Sequence, residues 1–168
     1  MSLLNKDTSI AIFAYNRPSH LRRLLISLEN NNIKNATVFL DGPKTKKEKI
    51  IQNEITTMVN YNKYMKLKLI KKKKNIGLAK SIISGVTYLS NRSKKIIIFE
   101  DDCIPRREFF LFINNLVNNK NFKYLNNPIC GYQLPEIHNK AENFFPVYLK
   151  YFIPWGWFIT SEIWKKYL

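Results

Sequence analysis

Short apolar runs alternate along the chain with longer segments in which apolar residues recur at helical spacing. Runs rich in strand-forming residues predict four strands, at 9–15, 36–40, 66–70 and 95–99. Each run is followed by a segment whose apolar residues lie three and four positions apart, which predicts an amphipathic helix. Four such strand–helix units indicate an α/β fold with a mostly parallel, doubly wound sheet.

The pattern weakens after the fourth predicted helix. Residues 129–133 and 147–152 predict two further strands, and a helix is expected to begin near Thr160. The tripeptide Trp155-Gly156-Trp157 fits either the core or a pocket wall on which a sugar ring stacks. No linker or repeat divides the chain, so we expect a single domain over residues 1–168.

Polar clusters follow the predicted strands at the points where the strands end. They are Tyr15-Asn16-Arg17, Asp41-Gly42, Asn75 and Glu100-Asp101-Asp102. The carboxyl ends of parallel strands share one edge of a sheet, and ligands of open α/β folds bind at that edge. We therefore expect these four clusters to converge on one site.

The three consecutive carboxylates of Glu100, Asp101 and Asp102 form the most informative cluster. Adjacent negative charges repel one another, and a hard divalent cation such as Mn²⁺ or Mg²⁺ relieves that repulsion. The alternative is a solvated turn that precedes the next helix. The position of the carboxylates directly after a fully apolar strand favours the metal site.

Arg17 and Asp41 each have two interpretations. A guanidinium at the start of a helix suits a phosphate group, although a surface arginine is also ordinary at that position. Asp41 accepts a hydrogen bond from a nucleoside base or ribose in one interpretation. In the other it only shapes the turn that Asp-Gly-Pro predicts.

The composition adds one observation, a formal net charge of +16. Such a charge fits a polyanionic partner, for example an anionic membrane or a phosphorylated substrate, but it also fits the codon usage of an AT-rich genome. Most aromatic residues lie in apolar stripes rather than among the lysines, so we expect no nucleic-acid partner. The run Lys71–Lys74 is either a solvated face or an aid to anion attraction.

Motifs of several other protein classes are missing from the sequence. It contains no G-x-G-x-x-G, no G-x-x-x-x-G-K-[ST] and no G-x-S-x-G. This disfavours Rossmann dinucleotide binding, P-loop nucleotide hydrolysis and an α/β-hydrolase. Two cysteines and the lack of a signal-peptide pattern predict a cytoplasmic protein, with peripheral association at the inner, anionic face of the membrane as an option.

Five segments carry, in order, the pattern of a known family. They are Ile10–Pro18 (IAIFAYNRP), Val38–Pro43 (VFLDGP), Asn75–Ser81 (NIGLAKS), Ile97–Asp102 (IIFEDD) and Pro154–Trp164 (PWGWFITSEIW). Together they resemble the nucleotide-sugar half of a GT-A glycosyltransferase. The chain is similar in this respect to N-acetylglucosaminyltransferase I type enzymes and to bacterial family-2-like sugar transferases.

The resemblance implies a fold, a reaction and a set of ligands. The fold would be a three-layer α/β/α sandwich. The reaction would transfer a sugar, with inversion, from a UDP-sugar to a glycan or other acceptor, as in surface-polysaccharide synthesis. Asp102 would bind Mn²⁺ or Mg²⁺, and the metal ion would bridge the diphosphate. The residues implied for donor binding are Ala14, Tyr15, Arg17, Asp41, Asn75, Lys80, Glu100 and Asp101.

The resemblance does not identify the catalytic base. Similar enzymes carry an Asp or Glu after the Gly-Trp segment, where this chain has only Glu162, and Glu136 and Glu142 are weaker candidates. We therefore expect the base beyond Leu168, in a chain that is truncated at its C-terminus. Three alternatives stay open: a donor-binding fragment without catalysis, a sugar-nucleotidyltransferase, and a basic domain that binds polyanions.

Overall fold

A computed structural model describes residue 4 and residues 7–119, 126–131 and 152–168. Within this part the chain forms six strands and five helices. The strands are β1 (Thr8–Ala14), β2 (Asn35–Leu40), β3 (Lys66–Lys71), β4 (Lys95–Glu100), β5 (Ile129–Cys130) and β6 (Trp157–Thr160). The helices are α1 (Pro18–Asn30), α2 (Lys46–Asn60), α3 (Leu78–Ser90), α4 (Arg107–Asn118) and α5 (Ser161–Lys166).

The strands form one mixed sheet in the order β3-β2-β1-β4-β6-β5. The first four strands pair in parallel, as the alternation of strands and helices predicts. β6 pairs antiparallel with both β4 and β5, so the parallel part of the sheet ends at β4. The α/β class is therefore confirmed, and the sheet is mixed, with four parallel strands and two that pair antiparallel.

The strands predicted for the last third of the chain agree less well with the structure. β5 covers Ile129–Cys130, and residues 132–133 and 147–151 of the predicted strands lie outside the described residues. Phe152 is not in a strand. β6 was not predicted. Of the tryptophan pair for which a core position was one interpretation, Trp157 is buried at the start of β6 and Trp155 is exposed.

Helices cover both faces of the sheet because alternate strand residues point to opposite sides. Ile10, Ile12 and Phe99 pack with the buried leucines of α1 and with α2 and α4 on one face. Phe13 and Phe39 pack with α3 and α5 on the other face. The predicted α1 stripe is confirmed, since all four of its leucines are buried, and they are Leu21, Leu24, Leu25 and Leu28.

The order of the strands reverses direction between β1 and β4. From β1 the chain moves outward through β2 to β3, and then returns to place β4 on the other side of β1. The loops after β1 and β4 therefore separate and leave a crevice, which is where open α/β sheets bind ligands. Among the described residues, no helix has the length and apolar character that crossing a membrane requires.

Candidate functional site

Arg17 joins the loops on the two sides of this crevice. It lies between β1 and α1, and its guanidinium donates one hydrogen bond to Asp101 and another, of 2.9 Å, to Oδ2 of Asp102. Asp101 is buried, whereas the side chains of Arg17 and Asp102 are nearly half exposed. The predicted convergence of the first and last polar clusters is therefore observed. The ion pair of Arg17 and Asp102 is open to a ligand on its exposed side.

The acidic cluster keeps an excess of negative charge. Burial raises the pKa of Glu100 above its ordinary value, and the charges of Asp102 and Asp101 raise it further. Burial also raises the pKa of Asp101, and the hydrogen bond from Arg17 opposes that shift only in part. One guanidinium thus faces three carboxylates, and a cation bound here would relieve the remaining repulsion.

We predict that replacing Glu100 with Gln stabilises the free protein at neutral pH. Since the pKa of Glu100 is raised in the folded state, its ionised form destabilises the fold, and this cost disappears as pH falls toward the ordinary carboxylate range. The melting temperature of Glu100→Gln should exceed that of the wild type by ~2–4 °C at pH 7, equivalent to ~1 kcal/mol. The difference should vanish near pH 4, as thermal unfolding across a pH series would reveal.

Glu108→Gln is the matched control for this prediction. Glu108 is an exposed residue in the first turn of α4, where a negative charge favours the helix. Its replacement should therefore leave the melting temperature unchanged or slightly lower. An equal rise in both variants would mean that the gain has nothing to do with repulsion in the acidic cluster.

A buried amide on α2 connects the loops that follow β1 and β2. Gln52 is fully buried, and its Nε2 donates to the backbone carbonyl oxygens of Tyr15 (3.0 Å) and Asp41 (2.8 Å). A primary amide has two N–H donors, so one side chain satisfies both carbonyls. Sequence reasoning missed this residue.

The Asp41 carboxylate fastens the loop before α3 to the end of β2. Oδ1 accepts hydrogen bonds from the amides of Gly42 (2.8 Å) and Ile76 (3.0 Å), and Oδ2 accepts from Gly77 (2.9 Å) and, more weakly, from the same Ile76 amide (3.3 Å). Asn75 adds a bond of 3.1 Å from its side chain to the carbonyl of Gly42. The second and third polar clusters therefore meet as well. The predicted contact between Asp41 and a nucleoside base remains a prediction.

Glycine is required at position 42 by this close approach of the two loops. A Cβ at Gly42 would lie 2.2 Å from the carbonyl carbon of Lys74 and 2.7 Å from the amide of Asn75. Gly77 is the N-cap of α3 and has a φ of +84°, a backbone conformation that residues other than glycine rarely adopt. The Asn-x-Gly segment thus sets the angle at which α3 leaves the crevice.

Tyr15 and Glu48 line the crevice on the side of α2. Burial raises the pKa of Tyr15, and the adjacent Glu48 carboxylate raises it further. Asn16 donates a long hydrogen bond of 3.5 Å to Glu48. Glu48 also forms a capping box with Thr45 at the start of α2, which fixes its position.

The other predicted site residues differ in where they lie. Ala14 is the buried last residue of β1, and its carbonyl accepts a bond from the amide of Asp41. Lys80 is exposed on the first turn of α3. Glu162 lies on α5 beyond Thr160, which pairs with the first residue of β4, so it is at the opposite end of that strand from Glu100. Glu136 and Glu142 lie outside the described residues.

The donor set fits a divalent cation that is held largely by its substrate. In the described part of the chain, no group of three or more His, Cys, Asp and Glu side chains is arranged to hold a metal ion. Mg²⁺ commonly binds through one or two carboxylates plus substrate phosphates, and such a site needs no larger group. Asp102 is the exposed carboxylate of the cluster and would be the ligand.

Comparison with known proteins leaves the family open. A scan of protein-family models finds none that matches the chain. A search of curated proteins also finds no match.

Proposed function

We propose that the chain binds a nucleoside-diphosphate sugar, with UDP as the first choice of nucleotide, and acts as a metal-dependent glycosyltransferase of the GT-A type. The observation that carries the proposal is the bridge from Arg17 to Asp101 and Asp102 across the crevice between β1 and β4. This bridge puts a phosphate-binding cation beside metal-binding carboxylates. A diphosphate with its divalent ion requires both.

Two helix ends support the same proposal. α1 begins at the loop after β1 and α3 at the loop that Asp41 holds, and neither has a side-chain cap or an acidic residue in its first turn. Pro18, the first residue of α1, has no N–H, so the amides of Ser19 and His20 are the first in α1 that can receive an anion, which the helix dipole favours. α2, whose first amides are occupied by Thr45 and Glu48, differs in this respect.

The role of each residue in this proposal combines its surroundings with what the resemblance implies. Arg17 neutralises the diphosphate, and Asp102 would hold Mn²⁺ or Mg²⁺, which would supply positive charge for the leaving diphosphate. Asp101, buried against Arg17, orients that guanidinium. As the resemblance implies, Asp101 would contact the ribose and Glu100 would face the donor sugar. Since the donor is already activated, the protein contributes mainly position and charge stabilisation.

The test is thermal unfolding with UDP, GDP and CDP, each with and without Mn²⁺. At roughly 100 times its dissociation constant, a ligand stabilises the folded state by ~2.7 kcal/mol. For a domain of this size, the melting temperature should rise on the order of 5–10 °C. We expect this rise with one nucleotide, only in the presence of Mn²⁺, and not in Asp102→Ala.

Glu162→Ala is the matched control, because it removes a carboxylate at the opposite end of β4. It should keep the full nucleotide-dependent rise. Comparing the ligand-induced rise within each variant removes any effect of the substitution on the free protein. A rise that persists in Asp102→Ala, or no rise with any nucleotide, would refute the proposed donor site.

Turnover assays then separate the remaining candidates. Release of UDP from a UDP-sugar in the presence of an acceptor marks a transferase, and binding without release marks a donor-binding protein. Release of pyrophosphate from UTP and a sugar 1-phosphate would instead mark a sugar-nucleotidyltransferase. That result would contradict the proposed reaction while leaving the nucleotide site in place.

A further inference from the structure

The positive charge of the chain is concentrated in one segment. Residues 44–74 contain eleven lysines and two glutamates, a net charge of +9 out of +16 for the whole chain. More than half of the net charge therefore lies in fewer than one fifth of the residues. A bias in codon usage acts on the entire chain and does not account for this concentration.

The segment forms one edge of the molecule, which we call the α2–β3 edge (residues 44–74). β3 is the outermost strand of the sheet, and α2 packs against it. All lysines of the α2–β3 edge are exposed except Lys72, which is half-buried. Within the described residues, no salt bridge joins any of them to a carboxylate. Their charge is therefore not neutralised by ion pairs within the described residues.

Exposed apolar side chains lie among these lysines. Ile50 on α2 is 70% exposed, and Tyr61 and Tyr64, in the turn between α2 and β3, are 78% and 68% exposed. Lys63 stands between the two tyrosines in the sequence. Tyrosine has an apolar ring and a polar hydroxyl, and it is enriched where proteins meet the headgroup region of a bilayer.

We propose that the α2–β3 edge docks on the surface of an anionic lipid bilayer. All the cations of the segment are lysines, which act as point charges in a diffuse field, whereas arginine provides the fork that recognises individual phosphates and bases. Ile50 is an aliphatic residue that can enter the headgroup region but cannot stack on a base. These two features favour a lipid surface over a nucleic acid.

The dimensions of the edge also suit a flat partner. α2 has 15 residues, and at 1.5 Å per residue it is about 22 Å long. Its first turn lies near the crevice, and Tyr61 and Tyr64 follow its other end. The lysines lie at both ends of the edge, with Lys44–Lys49 and Lys71–Lys74 at the crevice end and Lys63 and Lys66 at the other. The docked edge would leave the crevice beside the membrane and not beneath it.

The test is co-sedimentation of the full chain with vesicles of phosphatidylcholine, alone or mixed with phosphatidylglycerol, at physiological ionic strength. We expect binding to the mixed vesicles only, and weaker binding as salt is added. The triple variant Lys46→Glu, Lys63→Glu and Lys73→Glu should lose ~100-fold or more in partitioning, since each lysine near the surface contributes ~1 kcal/mol.

A second triple variant, Arg23→Glu, Lys94→Glu and Lys165→Glu, changes the net charge equally outside this edge. It should lose no more than a few-fold in partitioning. A double variant, Tyr61→Ser and Tyr64→Ser, keeps every charge and should still bind mixed vesicles more weakly than the wild type. Unchanged melting temperatures would verify that the variants remain folded.

Three results would overturn the proposal. One is the absence of binding to mixed vesicles, and another is an equal loss in both triple variants, which would mean that only net charge matters. The third is tighter binding to single-stranded RNA than to vesicles, lost in the first triple variant, which would make the edge a nucleic-acid surface. No nucleotide or metal is used, so this proposal and the proposed function can fail separately.

Discussion

Replacing Gln52 with Glu is expected to destabilise the protein by ~3–5 kcal/mol at pH 7, because it buries a negative charge without a partner. Gln52 is fully buried, and its amide nitrogen donates to the carbonyls of Tyr15 and Asp41. An ionised carboxylate in the same place offers no donor and faces two carbonyl oxygens. The melting temperature should fall by ~10 °C or more.

The loss in Gln52→Glu should depend on pH. Burial raises the pKa of such a carboxyl above the ordinary Glu value of about 4.3, so the folded state binds a proton more tightly than the unfolded state. Stability relative to the wild type should therefore recover as pH is lowered through the folded-state pKa toward 4. Recovery should be incomplete, since a protonated carboxyl donates only one hydrogen bond.

Gln52→Met is the control that separates charge from lost hydrogen bonds. Methionine has a similar length but neither donor nor charge, and it leaves both carbonyls without this partner. We expect a smaller loss of ~2–3 kcal/mol that does not change between pH 7 and 4. Equal losses in the two variants, with no dependence on pH, would show that the amide does not hold these carbonyls.

The first two thirds of the fold could be predicted because its elements are locally encoded. β1, β2 and β4 are short, mainly apolar runs that end in a polar cluster, β3 alternates lysines with apolar residues, and each helix carries an apolar stripe, as with Leu21 and Leu28 of α1. β6 could not be predicted in this way. Its four residues are explained by pairing with β4, a contact between distant parts of the chain. Local propensity carries no information about such a contact.

The residues of the candidate site could be predicted from the sequence only in part, for a related reason. Arg17 and Asp102 stand at strand ends, and the topology of a parallel sheet is enough to bring them together. Gln52 lies inside a helix among apolar residues, and its carbonyl partners are on two other loops. A signal did exist, since Gln52, Ile55 and Val59 lie three and four residues apart and are the buried residues of α2. A polar residue on such a stripe predicts a buried hydrogen bond.

Replacing Asp41 with Asn should cost ~2–3 kcal/mol and loosen the loop before α3. The carboxylate accepts from the amides of Gly42, Ile76 and Gly77, and an amide group replaces one of its oxygens with a donor. At least one buried N–H then loses its partner, which costs ~1–3 kcal/mol, and bonds to a charged acceptor are the stronger ones. Thermal unfolding measures the total loss, and amide hydrogen exchange at Ile76 and Gly77 should become faster.

Asn75→Ala is the matched control in the same loop, since it removes one neutral hydrogen bond, to the carbonyl of Gly42. Its loss should be near ~1 kcal/mol. If exchange at Ile76 and Gly77 is unchanged in Asp41→Asn, the carboxylate does not fasten the loop.

The hydrogen bonds of the Asp41 carboxylate also limit its predicted contact with a nucleoside base. Oδ1 already accepts from the amides of Gly42 and Ile76, and Oδ2 from those of Gly77 and, at 3.3 Å, Ile76, so a base N–H would have to compete with these bonds for about four acceptor positions.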